Sequence, residues 1–109
     1  MRSGRGFDTW SMNRRIRTAI KTNFAAGRLR GEGKIKNVAE GGLFVGTSQL
    51  PDEGESVVVS FRAPGGTVDV EGLVWWTTND EPGRHRTPGF GLRLLEESAD
   101  FSRFFDSLN

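Results

Sequence analysis

The chain has 109 residues, enough for one modest hydrophobic core, and its 35% apolar content is that of a globular domain rather than a disordered one. It contains no cysteine, which excludes disulfides, thiolate metal sites and thiol nucleophiles together, and no apolar run approaches the roughly 18 residues of a membrane span. The net charge of +1 conceals a split: residues 1–36 carry ten Lys and Arg against Asp8 and Glu32, whereas residues 37–109 carry five Arg against twelve acids.

Such a split suits an anionic partner for the N-terminal third, or a surface whose two halves neutralise each other in the fold. Residues 1–12, MRSGRGFDTWSM, show no periodicity and are expected to form a flexible arm, with Phe7 and Trp10 as its large apolar groups. They lack the apolar segment of a secretory signal, so a cytoplasmic protein is expected. Residues 13–109 are expected to form a single domain.

From Ile16 the pattern is that of a strand, with Ile16, Thr18, Ile20, Thr22 and Phe24 at even spacing, interrupted by Arg17 and Lys21. Gly27 turns the chain. LRGEGKIKNVA, residues 29–39, reads as a second strand, weak at its start because of Gly31 and Gly33. EGG turns again, and LFVGT, residues 43–47, is a short third strand. SQLPDEGES is a loop broken by Pro51 and Gly54; VVVSF, residues 57–61, is a fourth strand; RAPGG is a turn.

TVDVEGLVWW, residues 67–76, alternates well. Val68, Val70, Gly72 and Val74 share one face, and Asp69, Glu71 and Leu73 the other. Trp75 and Trp76 are neighbours, so in an extended strand they point to opposite faces. One is expected in the core. The other faces outward, under the arm or the C-terminal helix, or on a partner surface. TTNDEPGRHRTPG, residues 77–89, is a polar loop long enough to be functional or flexible, and Arg84, His85 and Arg86 join the Trp pair as a candidate partner surface.

FGLRLL, residues 90–95, is the sixth strand. The period then changes: Phe101, Phe104, Phe105 and Leu108 lie on one face of a helix. Ser98 suits its N-cap, and Glu97 and Asp100 suit the positive end of its dipole. So short a helix depends on tertiary packing, and its Phe stripe is expected to be a lid on the sheet. Six turn-connected strands and one helix predict an all-β fold, a small six-stranded antiparallel barrel with a C-terminal α-helix.

Catalysis has little support. His85 is the one histidine and sits in a polar loop, where a general base would lack a desolvated setting. No serine has a nucleophile elbow, and one histidine without cysteine makes a poor metal site. Neither enzyme activity nor a cofactor is expected. Anion binding is better supported. In KNVAEGGLFV the adjacent Gly41 and Gly42 let backbone N–H groups approach an oxyanion, although GLFVGT lacks the ending of a Walker loop. Asn37 and Ala39 share a strand face, and Asn37 suits a base edge or a sugar. Arg14, Arg15 and Arg17 offer forked donors to phosphates and to guanine O6 and N7.

The ordered blocks resemble a PilZ domain, a bacterial receptor fold for cyclic di-GMP: an arginine cluster before the first strand, NVAEGGLFV, PDEGESVVVSF, VDVEGLVWW, and PGFGLRLL leading into a helix. The resemblance covers about residues 13–108 and implies the same six-stranded barrel with a C-terminal helix. It also implies a two-part ligand site, Arg-x-x-x-Arg in the N-terminal loop and Asp/Asn-x-Ser-x-x-Gly on and after the second strand. Asn37 and Gly42 match the ends of the second part, with Gly41 between them, but Ala39 stands where the family has Ser. Arg14, Arg15 and Arg17 supply the charge, yet no two stand at the family spacing. Losing a charge-assisted contact worth roughly 1.5–3 kcal/mol and a neutral one weakens binding on the order of a hundredfold.

What the resemblance implies is a cyclic di-GMP receptor or adaptor that signals through contacts with an unidentified protein, in motility, adhesion or exopolysaccharide production. One alternative is a PilZ-like protein-interaction module that has lost the nucleotide. Another is a barrel that binds single-stranded nucleic acid. Against this last reading, Phe24 is the only aromatic between Arg14 and Lys36, too few for the stacking platforms such barrels use.

Overall fold

Runs in which every second residue is apolar leave one face of each strand in need of cover, and six such runs cover one another by closing into a barrel. The computed structural model describes residues 15–78, 88–96 and 98–108. Its elements are β1 (Arg15–Ala26), β2 (Leu29–Ala39), β3 (Gly42–Gly46), β4 (Ser56–Ala63), β5 (Gly66–Thr77), β6 (Gly89–Leu94) and α1 (Ala99–Ser107). The strands close in the order β1-β2-β3-β6-β5-β4, every neighbouring pair antiparallel. The expected fold class is therefore found. The β1–β2 and β2–β3 turns pass through Gly27 (φ 59°) and Gly41 (φ 81°), a left-handed geometry that glycine adopts without steric cost.

The core is the inner face of this barrel. Ile35, Val38, Leu43, Val45, Phe90 and Leu92 are fully buried, as are Val57 and Val59 of β4. The predicted face of β5, Val68, Val70, Gly72 and Val74, is buried, and Asp69 and Glu71 are exposed. Helix α1 adds Phe101, Phe104 and Phe105 to the same cluster, with the Phe104 ring 4.8 Å from that of Phe61. Ser98 is its N-cap, its hydroxyl accepting from the Phe101 N–H at 3.1 Å. Glu97 lies outside the described residues. Buried threonines are satisfied: Thr22 Oγ1 donates to the Ser60 carbonyl at 2.6 Å and Thr47 Oγ1 to that of Glu32 at 2.9 Å.

Two expectations need correction. First, β1 begins at Arg15, one residue before the expected start, so Arg15 as well as Arg17 stands on the strand and not in a loop before it. Second, Trp75 and Trp76 do not divide between core and surface. Val74 and Thr77 are both buried although three apart, which a regular strand forbids, and a bulge between Val74 and Trp76 absorbs the extra residue. Trp75 is 39% exposed, and Trp76 is half-buried outside the core cluster. A like bulge interrupts β2 at Lys36, since Ile35 and Val38 are both in the core. Asn37 is thereby left on the outer side. The expected arm (residues 1–12), most of the polar loop with Arg84, His85 and Arg86, and Arg14 lie outside the described residues.

Candidate functional site

Strand register decides which outward residues become neighbours, and here it lines up residues from five strands. One row runs Arg17, Asn37, Phe44, Gly91 and Trp76, each the cross-strand partner of the next. The adjacent row runs Arg15, Ala39, Gly42, Arg93 and Leu73. The arginine cluster and the glycine turn, separated by about 25 residues in sequence, thus share two neighbouring ladders on the outer surface of the barrel.

Within these rows Arg15 and Arg17 are exposed, with no ion-pair partner among the described residues. Asn37 is half-buried, and its Oδ1 is out of contact with solvent and has no hydrogen-bond partner among the described residues. A polar atom in that condition costs about 1–3 kcal/mol and is rare in folded proteins. Ala39 is fully buried, though it shares the outward side of Asn37 and is not part of the core cluster. Gly42 pairs with Ala39 on one side and Arg93 on the other, and the Gly41 carbonyl accepts from the Leu94 N–H at 2.9 Å. The turn is therefore pinned to β6.

Two participants were missed in the sequence. Phe44 lies between the core residues Leu43 and Val45, so alternation alone places it outward beside Asn37. Arg93 lies between the buried Leu92 and Leu94, an outward cation beside Gly42, with its guanidinium carbon 4.7 Å from the Trp75 ring centroid. Such a cation–π contact at an exposed site is worth about 0.5–1 kcal/mol. The strip thus presents Arg15, Arg17 and Arg93 around an amide and a glycine turn, with aromatic rings along one side. No acidic side chain stands among its ten positions. Chemically it can neutralise an anion, hydrogen-bond a base or sugar edge, and cover an apolar or planar group. Among the described residues there is no cluster of three His, Cys, Asp or Glu, and no helix is long and apolar enough to cross a membrane.

Residues 12–105 match the family model of the PilZ domain. Among solved structures, the chain is similar to that of Bacillus subtilis Inhibitor of motility (MotI/DgrA), with a TM-score of 0.70 and 17% sequence identity, a likeness of fold. The match covers 89% of this chain and 48% of that one, so the chain spans about half the length of that protein. No curated protein matches the chain.

Proposed function

This chain belongs to the PilZ domain family, and we propose that it is a receptor or adaptor that takes cyclic di-GMP on the outer strip and signals through contact with another protein. The phosphates would lie against Arg15 and Arg17, with Arg93 at the far side. Asn37 would supply the amide, and the Gly41 and Gly42 turn the close backbone approach. The observation that carries the reading is the buried, unpartnered Oδ1 of Asn37, directly across the ladder from Arg17. A protein that tolerates such an atom beside unpaired cations gains if a ligand with donors and negative charge completes it. The similar Bacillus protein is named as an inhibitor of motility, and control of motility is the process we assign to this chain.

The test is a calorimetric titration of the purified chain with cyclic di-GMP, with GMP as control. Saturable heat that disappears in the Arg15→Ala/Arg17→Ala double variant is the expected result. Absence of both heat and amide shifts at high nucleotide concentration would overturn the proposal.

A second reading has its own observation. Ala39 places a buried methyl where the family pattern has a hydroxyl. On that reading the strip keeps its fold for protein contacts alone, with the exposed Trp75 and Arg93 as anchors of the kind found at interfaces. A null titration combined with loss of partner contact in Trp75→Ala would select it.

A further inference from the structure

β1 and β4 part company early. They pair only from Thr22 with Phe61 to Ala25 with Val58. Residues 15–21 of β1 therefore have β2 on one side and, among the described residues, no strand on the other. β4 runs on to Ala63, hydrogen-bonded to β5 alone. The barrel is closed at one end of this pair and open as a seam at the other. A strand with an open side presents alternate N–H and C=O groups to whatever lies beside it.

An open cavity of about 1030 Å³ reaches from the seam across β2 to Gly46 and Pro88. Ile20 and Lys21 stand on one lip, Phe61 and Arg62 on the other, and Lys34 and Lys36 on the adjoining strand. Its charge is one-sided, because Glu32 is the only acid among the described residues of the lining. Lys21 and Lys34 are direct cross-strand partners, a like-charge arrangement that costs stability. None of Lys21, Lys34, Lys36 and Arg62 has an ion-pair partner among the described residues. Thus an edge that pairs with no strand and cations without an ion-pair partner, both among the described residues, coincide at one place.

We propose that this seam is a docking site for an extended acidic segment of a partner protein, which adds to β1 as a strand and sets its carboxylates against Lys21, Lys34 and Arg62. Strand addition takes affinity from main-chain hydrogen bonds and specificity from alternate side chains, and the seam offers both. A single-stranded nucleic acid has no alternating N–H and C=O groups to give the edge, and the one aromatic in the lining, Phe61, is only 3% exposed. Residues 1–14 of the chain itself carry three arginines and one aspartate, and would add to the positive charge. The inference rests on the adaptor half of the proposed function and does not require the nucleotide. The seam adjoins the nucleotide strip at Lys36 and Arg17, yet Lys21, Lys34 and Arg62 belong to neither of its rows.

The experiment uses the full ¹⁵N-labelled chain and a short fluorescein-labelled peptide alternating Glu with Thr. Three controls are the Lys-for-Glu peptide, the Glu peptide N-methylated at alternate residues, and a thymidine oligonucleotide of matched charge. Saturable anisotropy is expected, with amide shifts confined to residues 15–21, Lys34, Lys36 and Arg62, and weakening as salt rises. Lys21→Glu is expected to weaken the peptide on the order of tenfold, as for an opposed charge at a binding site, while raising Tm because the like-charge pair is relieved. Lys34→Glu repeats the test from the other strand. Equal binding of the N-methylated peptide would overturn strand addition, and equal or tighter binding of the oligonucleotide would overturn the choice of a peptide. No saturable binding of the Glu peptide, or concentration-dependent shifts without it, would overturn the site. Titrating cyclic di-GMP into Lys21→Glu, and the peptide into Asn37→Ala, separates the two proposals: each variant is expected to lose one ligand and keep the other.

Discussion

Phe44 and Trp76 stand on strands that do not pair with each other, yet their rings stack across β6 with centroids 5.3 Å apart and planes 17° from parallel. Gly91 makes this approach feasible, since a Cβ built there would stand 2.4 Å from the Trp76 Nε1. Gly91→Ala is therefore expected to displace the indole and to cost about 1–3 kcal/mol, the usual penalty for overpacking. Thermal unfolding and the indole N–H resonance of Trp76 check this. A variant with native Tm and an unmoved resonance would mean that the stack does not depend on the glycine.

Asn37→Ala separates stability from binding. The side chain's Oδ1 is buried without a partner, so its removal takes away a group that costs the unliganded fold about 1–3 kcal/mol. Unliganded stability is expected to hold or rise in urea unfolding. Cyclic di-GMP affinity is expected to fall at least tenfold, about 1.4 kcal/mol. A loss of stability would show instead that the amide serves the fold.

Ala39→Ser restores the hydroxyl of the family pattern at a fully buried position. A neutral hydrogen bond is worth about 0.5–1.5 kcal/mol, so nucleotide affinity is expected to rise by up to about tenfold in the same calorimetric titration. The unliganded protein is expected to lose a little stability to the unpaired hydroxyl. An affinity unchanged or reduced would place the ligand away from this row.

The helix makes a simpler case. Phe101 is fully buried, and Phe101→Ala is expected to cost about 3–5 kcal/mol of unfolding free energy, enough to unfold much of a small domain at moderate temperature. Ser98→Ala removes the N-cap acceptor of the Phe101 N–H and is expected to cost about 1 kcal/mol. Denaturant midpoints with unchanged m-values would confirm both as local losses.

The barrel was legible because its signals are periodic. Val68, Val70 and Val74 fall on one face, and Phe101, Phe104 and Phe105 on one side of a helix, by spacing alone. The bulges were not legible. Trp75 and Trp76 read as a regular pair, and nothing local marks the extra residue that the burial of both Val74 and Thr77 requires. Lys36 hides the same insertion in β2. The candidate site was half visible. Asn37 and the two glycines could be read from one segment, whereas Arg93 and Phe44 enter only through register between distant strands. The seam was out of reach, because where β4 leaves β1 depends on how the whole sheet coils, not on any one segment.

The row that begins at Arg17 ends on an indole, in a chain with three tryptophans and no tyrosine. Ultraviolet emission from this protein is thus tryptophan emission, and one emitter lies flat against the ring that neighbours Asn37. A molecule seated on Asn37, as proposed, would press on the partner of that emitter, and the colour and polarisation of the light are expected to follow. The barrel would then carry its own gauge of occupancy, readable in dilute solution without a dye.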